Sequence, residues 1–364
     1  MNILNLIQCA NLGGMEQASL RLMTGLQARG HGCELLSLNP MGSLGPLLDA
    51  TGIPYEGLPY AGKGGWRIMA KLRRRLRKMD VDALLMTGHH MLAMLALGDF
   101  CQGRRVLAVH FHHGGVKPEW QWRLIYRLAR SRFQAITFPS DFIRQEAERI
   151  HPPVAELAHT IRNPLSLPPL AAFEQKQSAR QALGLPPNVP VIGNGGWLIP
   201  RKRFDLFLRT ASIIAAEVSD AHFVIAGDGE QRPTLEALAE SLNLTHRLTW
   251  TGWVQDMDVF FQSLDVLLFN SDWDALPTTP LEAMSYGIPV VASLENGGLK
   301  EIINSGQYGF LLPQHNVETL AAKAIEMIQN PNQARMIGLA GRERIRATSQ
   351  PAAIAAQYET LLQG

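Results

Sequence analysis

The chain has 364 residues, 46% hydrophobic and 18% charged, which is too long for one ordinary core and too apolar for disorder, and so implies two globular domains. Its net charge of +2 conceals a split: residues 1–166 carry 20 Lys and Arg against 12 Asp and Glu, and the remainder carry 14 against 20. No apolar run reaches the ~18–20 uncharged residues of a membrane helix, since the best candidate, Ala83 to Leu97, is broken by Gly88, His89 and His90.

In chain order, Asn2–Gln8 reads as a buried strand. Met1 to Cys9 lacks a basic leader and runs into Asn11, Gly13, Gly14 and Glu16, which excludes a signal peptide. A loop at Cys9–Gly14 and a helix over Met15–Arg29 follow. Further strands are expected at Cys33–Leu38, Ala83–Met86, Val106–Val109 and Ala135–Phe138, with helices at Trp66–Met79, Glu119–Arg130 and Phe142–Ile150. Six prolines in Asn163–Pro190 mark a linker, with or without a cap. The alternation then restarts. Strands are expected at Val189–Gly193, His222–Ala226, Leu248–Gly252, Val266–Phe269 and Val290–Ala292, and helices at Phe204–Ala216, Pro233–Leu242, Pro280–Tyr286 and Val317–Gln329. Buried strands alternating with helices predict an α/β protein with two doubly wound parallel sheets and a ligand in the cleft they face. Cys9, Cys33 and Cys101 share no metal-type spacing, which favours a reduced, cytoplasmic setting.

Three segments carry candidate chemistry. Asn11-Leu12-Gly13-Gly14-Met15-Glu16 joins the first strand to a helix. It is either a tight turn or a backbone approach to an anion at a helix N-terminus, and it lacks the GxGxxG fingerprint. Gly195-Gly196-Trp197-Leu198-Ile199-Pro200-Arg201-Lys202-Arg203 holds the matching place in the second half. Its three cations suit a diphosphate, whereas a solvated helix start would place them against the dipole. The stretch from Ser271 through Asp272-Trp273-Asp274-Ala275-Leu276-Pro277-Thr278-Thr279-Pro280-Leu281-Glu282 to Met284 follows a buried strand. Thr278 and Thr279 at the helix start offer hydroxyls and amides to a phosphate, and Asp274 and Glu282 suit sugar or ribose hydroxyls. The alternative is that Asp274 caps the helix and Glu282 complements its dipole.

This last stretch, with Gly287-Ile288-Pro289-Val290-Val291-Ala292 after it, resembles the signature of the family-four retaining glycosyltransferases of GT-B fold. Gly13-Gly14, Asn163-Pro164, Gly196, Lys202, Gly227-Asp228-Gly229, Gly252-Trp253-Val254 and Gly297 to Glu301 agree in order. The resemblance implies two Rossmann-like domains: an acceptor domain over 1–166, with a C-terminal helix over 350–364 packing back on it, and a nucleotide-sugar domain over 167–349. It implies that Glu282 binds ribose and that Asp274 holds donor-sugar hydroxyls. Lys202 and Arg201 would neutralise the diphosphate, with amides around Leu276, Pro277, Thr278, Thr279, Gly13 and Gly14 completing the cradle. Val254 would lie against the base and His112 would reach the donor sugar, while His110, which ends a strand, fits a core histidine equally well. Asp274 stands where the family has glutamate, and Trp197 where it has arginine. The implied activity is metal-independent, cofactor-free transfer of a hexose-type sugar, UDP-linked by family frequency, with retention. The acceptor would be a glycan or lipid-linked molecule in cell-envelope polysaccharide, lipopolysaccharide or glycolipid synthesis. A non-catalytic nucleotide-sugar or glycan binder and a GT-B nucleotide-sugar epimerase are the alternatives.

Asp272-Trp273-Asp274 also spells a DxD metal motif. That motif belongs to a single-domain architecture, and the Arg201–Arg203 run offers charge neutralisation without a metal. Trp66–Met79 places Ile68, Met69, Leu72, Leu76 and Met79 on one helical face with seven cations around it. Trp120, Trp122, Tyr126, Arg123, Arg127 and Arg130 follow in the next basic helix. Such helices are either packed with a solvated outer face or dock on an anionic membrane surface or lipid acceptor, which would make the protein peripheral on the inner face of the membrane. No nucleic-acid motif accompanies them.

Overall fold

The continuous apolar runs become the inner strands of two all-parallel sheets. The computed structural model describes residues 1–364 apart from Leu12, 61–64, 98–102, Phe111, His112, Gly114, Gly115, Gln255, 304–305 and 313–315, and apart from the side chains of Glu295 and Asn296. The chain divides into a unit of Met1–Leu165 with Ser349–Gly364 and a unit of Ser166–Thr348.

In the first unit the strands are β1 (Asn2–Ile7), β2 (Gly32–Ser37), β3 (Tyr55–Gly57), β4 (Ala83–Thr87), β5 (Arg105–Ala108), β6 (Ala135–Phe138) and β7 (Ala158–Thr160). Their order across the sheet is β3-β2-β1-β4-β5-β6-β7. Strand order therefore reverses between β1 and β4, which pair in parallel from Ile3–Ala83 to Ile7–Thr87. Asn5 is fully buried inside β1. Its amide donates to Ser19 Oγ at 2.7 Å and its carbonyl oxygen accepts from Thr87 Oγ1 at 3.1 Å, so both ends of a costly buried amide are used to tie β1, the helix Gly14–Ala28 and β4 together. The helix Pro351–Gln363 belongs to this unit. Ile354, Ala355, Tyr358 and Leu362 enter the same core as Leu22, Met23 and Leu26. Tyr358 Oη bonds Thr137 Oγ1 at 2.9 Å, and Glu359 pairs with His31 at 2.8 Å and with Arg29.

The second unit holds β8 (Val191–Gly195), β9 (His222–Ala226), β10 (Leu248–Gly252), β11 (Val266–Asp274), β12 (Val290–Gly297) and β13 (Phe310–Leu312), in the order β10-β9-β8-β11-β12-β13. Here the order reverses between β8 and β11. The helices Phe204–Glu217 and Val317–Gln329 bury Phe207, Leu208, Ile214, Leu320, Ala324 and Ile325 against Phe223, Ile225, Leu268 and Val291 of the sheet. The proline-rich segment is more than a linker: it contains the helix Phe173–Ala182, whose Arg180 and Lys176 both pair with Asp265 just before β11.

The basic segment forms the helix Gly65–Leu76, shorter than the expected span. Its apolar stripe, Ile68, Leu72 and Leu76, is buried in the first unit, so the fold uses the face that the sequence offers equally to a membrane.

Candidate active site

A parallel sheet leaves a crevice beyond the carboxyl ends of its strands at the point where strand order reverses. In the second unit that point lies between the ends of β8 and β11. β8 ends at Gly195, and the chain passes through Gly196 to the 3-10 turn Pro200–Lys202. β11 continues five residues past the apolar stretch that ends at Phe269, held in register with β12 as far as the pair Asp274–Gly297. A Cβ on Gly297 would lie 2.1 Å from the Asp274 carbonyl oxygen, so only glycine allows this extension.

Arg201, Lys202 and Asp274 meet there. Lys202 Nζ donates to Asp274 Oδ2 at 2.7 Å. Arg201 Nη1 donates to Asp274 Oδ1 at 3.1 Å and to the Trp273 carbonyl at 3.2 Å, while its guanidinium lies 4.4 Å above the Trp273 ring centroid. The Ser271 hydroxyl donates to Asp274 Oδ2 at 2.9 Å. Burial pushes the Asp274 carboxyl up, but Lys202, Arg201 and the bonds from Lys202 and Ser271 outweigh it and hold the group below the ordinary aspartate value. The Lys202 ammonium is pushed below its ordinary value by burial; Asp274 opposes the shift and Arg201 adds to it. The Ser271 proton is shared with the Arg201 and Trp273 carbonyls, at 3.1 and 3.2 Å, and among the described residues Oδ1 accepts from Arg201, which leaves it room for a further donor such as a sugar hydroxyl.

The third cation of the run plays another part. Arg203 caps the helix Phe204–Glu217 with φ +47°, in the left-handed region. Its Nε and Nη2 hold the two Asp205 carboxylate oxygens at 3.0 Å each, and Nη1 holds Asp272 Oδ1 at 3.0 Å. The conflict between a cation and a helix N-terminus is thereby relieved, with Asp205 in the first turn complementing the dipole. Both carboxylates of the DxD sequence are engaged by cations, Asp272 by Arg203 and Asp274 by Lys202 and Arg201.

The helix Thr278–Ser285 starts three residues after Asp274's neighbour Ala275, with Pro277 as its N-cap and no side-chain cap. Asp274 therefore does not cap it. Thr279 Oγ1 donates to the Gly195 carbonyl at 3.1 Å, which commits that hydroxyl to the turn after β8 and leaves the backbone amides of the first turn to face an anion. Thr278 and Glu282 are four residues apart and share a helix face, next to the face of Thr279. Leu276 and Pro277 are buried, and Val254 is half-buried beyond β10.

Gly13 and Gly14 lie in the first unit, at its own reversal point, where Gly13 caps the helix Gly14–Ala28 in extended conformation without a side-chain cap. Glu16 folds back over this turn: a Cβ on Gly13 would meet its Oε2 at 2.6 Å. Burial pushes the Glu16 carboxyl up to about 7 against the opposing bond from its own amide. His112 lies outside the described residues. His110 is half-buried beside Asn163, and desolvation of its ring pushes the imidazole down to about 4. The sequence does not single out His113, which is nearly fully buried and bonded at both ring nitrogens, to Tyr126 Oη and to Glu146 Oε2 at 3.2 Å. It also does not single out the tie between Ser271 and Asp274, which appears only once β11 is seen to run past Phe269.

Two family models match the chain: Glycosyltransferase Family 4 over residues 12–167 and Glycosyl transferases group 1 over residues 175–344. An uncharacterized glycosyltransferase of Haemophilus influenzae is 23% identical over 339 residues, 90% of each chain. A GDP-mannose-dependent alpha-(1-6)-phosphatidylinositol monomannoside mannosyltransferase of Mycobacterium tuberculosis is 26% identical over 314 residues, 82% of this chain and 80% of that one. The crystal structure of Anabaena HepE with UDP and glucose superposes with a TM-score of 0.85 over 99% of both chains, at 21% identity. With two doubly wound parallel sheets and both halves matched, the chain belongs to the family-four type of GT-B glycosyltransferases.

Proposed function

We propose that this protein moves a hexose-type sugar from a nucleoside-diphosphate sugar, UDP-linked, to a glycan or lipid-linked acceptor in envelope polysaccharide or glycolipid synthesis, with retention and without a metal. The observation that carries this reading is the Arg201–Lys202–Asp274 cluster at the β8/β11 reversal point, beside the uncapped N-terminus of Thr278–Ser285. The M. tuberculosis relative is named for a glycolipid acceptor, which supports the acceptor class, and HepE is seen with UDP.

On donor binding, the diphosphate takes Lys202 Nζ and Arg201 as partners, and the first-turn amides add dipolar stabilisation. Asp274 Oδ1 accepts from a sugar hydroxyl, Glu282 from the ribose, and Val254 flanks the base. By the family resemblance, His112 would contact the sugar, and Gly13 and Gly14 would offer amides to the phosphates. The C1–O bond breaks with its electron pair passing to the leaving diphosphate oxygen. The acceptor oxygen bonds to C1 from the same face and gives its proton to that diphosphate. A carboxylate bonded to two cations is a poor nucleophile, so the Asp274 pairing supports same-face departure and attack, and a trapped glycosyl–enzyme adduct would overturn it.

The test is incubation with UDP- and GDP-sugars and candidate acceptors. Acceptor-dependent release of nucleoside diphosphate, undiminished by a chelator, is expected. Release without acceptor, or none with any donor, refutes the assignment.

The same reading includes peripheral docking on an anionic membrane through the helix Gly65–Leu76. Trp66 is 70% exposed with the Arg67 guanidinium 5.2 Å above its ring, and Lys71, Arg74, Arg77 and Lys78 are exposed beside it. With the apolar stripe used by the fold, attraction rests on charge, about 1 kcal/mol per cation near the surface. Flotation with anionic vesicles at low salt should carry the protein up and high salt should release it; no flotation at low salt refutes the docking.

A further inference from the structure

Trp197 and Trp253 leave the carboxyl ends of β8 and β10, the strands flanking β9, yet their rings touch: the centroids are 4.4 Å apart and the planes cross at 69°. The two side chains meet across the end of the strand between them. About half of each remains in water, 50% for Trp197 and 52% for Trp253. Large apolar side chains exposed as a contacting pair are a mark of a binding surface, because an isolated pair of this kind leaves apolar area in water for no folding gain.

The floor beneath the pair is rigid. Gly196 N donates to the Ala226 carbonyl at 2.8 Å, Gly227 N to the Gly252 carbonyl at 2.8 Å and Leu198 N to the Asp228 carbonyl at 2.9 Å, so the loops after β8, β9 and β10 are laced together. A Cβ on Gly227, at φ +140°, would fall 1.9 Å from the Gly196 carbonyl oxygen, which shows how closely these loops approach. Aromatic rings held on such a floor lose little freedom when a ligand covers them.

The pair also lies on the same sheet edge as the ionic cluster. Trp197 and Lys202 sit on one loop, five residues apart. β10 is two strands from β8 and three from β11, so Trp253 stands roughly 10–15 Å along the edge from the Asp274 strand. A ligand that spans this edge has an anionic end at Arg201 and Lys202 and a flat apolar end at the tryptophans. A nucleoside diphosphate has this form.

We propose that Trp197 and Trp253 form a stacking platform for the nucleobase of the donor. The proposal rests on the donor reading above and deepens it: Trp197 supplies stacking at a position where the family supplies charge. Stacking makes the platform tolerant of base identity, since every base has a π-face.

Titration with UDP, GDP and inorganic pyrophosphate tests it. In a Trp273→Phe background, which removes the indole under Arg201, both nucleotides, and not pyrophosphate, should quench the remaining tryptophan fluorescence. Trp197→Ala and Trp253→Ala should weaken UDP and GDP about 5- to 100-fold with pyrophosphate affinity unchanged, and Trp253→Phe should keep most of the affinity. Unchanged UDP affinity in the double alanine variant overturns the platform, as does equal weakening of pyrophosphate, which would assign the tryptophans to the shape of the turn. Should the alanine variants not fold, quenching by pyrophosphate equal to that by UDP in the Trp273→Phe background overturns it alone. A wild type that binds neither nucleotide refutes the donor reading itself.

Discussion

In the free protein the two cations assigned to the diphosphate are already paired with Asp274, so the incoming anion must settle beside a carboxylate. Lys202 Nζ lies 2.7 Å from Asp274 Oδ2. A phosphate oxygen bonded on the opposite side of Nζ at a similar distance would stand about 5 Å from Oδ2, and two unit charges at that separation repel by ~3 kcal/mol at an effective dielectric constant of 20. Partial exposure of the site and the remaining pairing with both cations reduce the net effect to ~1–2 kcal/mol. Asp274→Asn should therefore tighten binding of the free nucleoside diphosphate by about 5- to 30-fold. It should also destabilise the free protein, because Lys202 and Arg201 lose their partner, with a cost on the order of 1–3 kcal/mol. The nucleotide should restore more of the melting temperature in the variant than in the wild type. If Asp274 also holds sugar hydroxyls, the gain for the nucleotide sugar is smaller than for the nucleotide, and turnover falls. Calorimetric titration of wild type and Asp274→Asn with UDP and a UDP-sugar reads all of this. Weaker UDP binding by a folded Asn variant would refute the idea that Asp274 holds the cations in competition with the diphosphate.

Glu282→Ala should raise the dissociation constant of a ribonucleotide at least 10-fold and leave pyrophosphate binding alone; an unchanged nucleotide constant removes Glu282 from the ribose role. Arg203→Gly should be less destabilising than Arg203→Ala by about 1 kcal/mol, since both lose the Asp205 and Asp272 pairs but only glycine relieves the left-handed backbone, and equal melting temperatures would show that the position carries no strain. Glu16, with its carboxyl pushed up to about 7, binds a proton more tightly folded than unfolded, so its contribution is present below the ordinary glutamate value of 4.5 and is lost as pH rises from there through 7. Melting curves should thus find Glu16→Gln matching the wild type near pH 4.5 and exceeding it by ~1–2 kcal/mol at pH 8; parallel curves across that range would contradict the burial argument.

The inner strands are legible because a strand covered on both faces reads as an unbroken apolar run, as in Ile3–Ile7 or Val266–Phe269. The edge strands Tyr55–Gly57, Ala158–Thr160 and Phe310–Leu312 are not, because three residues show no periodicity and each owes its extended form to the neighbour it pairs with. The helix Phe173–Ala182 is hidden for another reason, the prolines on either side of it, and its ion pairs from Lys176 and Arg180 reach Asp265, more than eighty positions away.

For the site, residue types and order sufficed to single out Arg201, Lys202, Asp274 and Glu282, since a cation run just past one strand and a carboxylate past another lie at the same edge of any doubly wound sheet. Their mutual state was not legible. Whether Lys202 waits free for a phosphate or is held by Asp274 depends on β11 continuing past Phe269 to Asp274, and that depends on Gly297 letting the adjacent strand approach the Asp274 carbonyl. Segments distant in sequence thus decide the charge that a ligand meets. On the donor reading proposed above, a carboxylate between two cations would keep them aligned before a donor arrives and would limit how strongly the diphosphate product is retained, so the pairing that opposes nucleotide binding would be the one that lets the product leave.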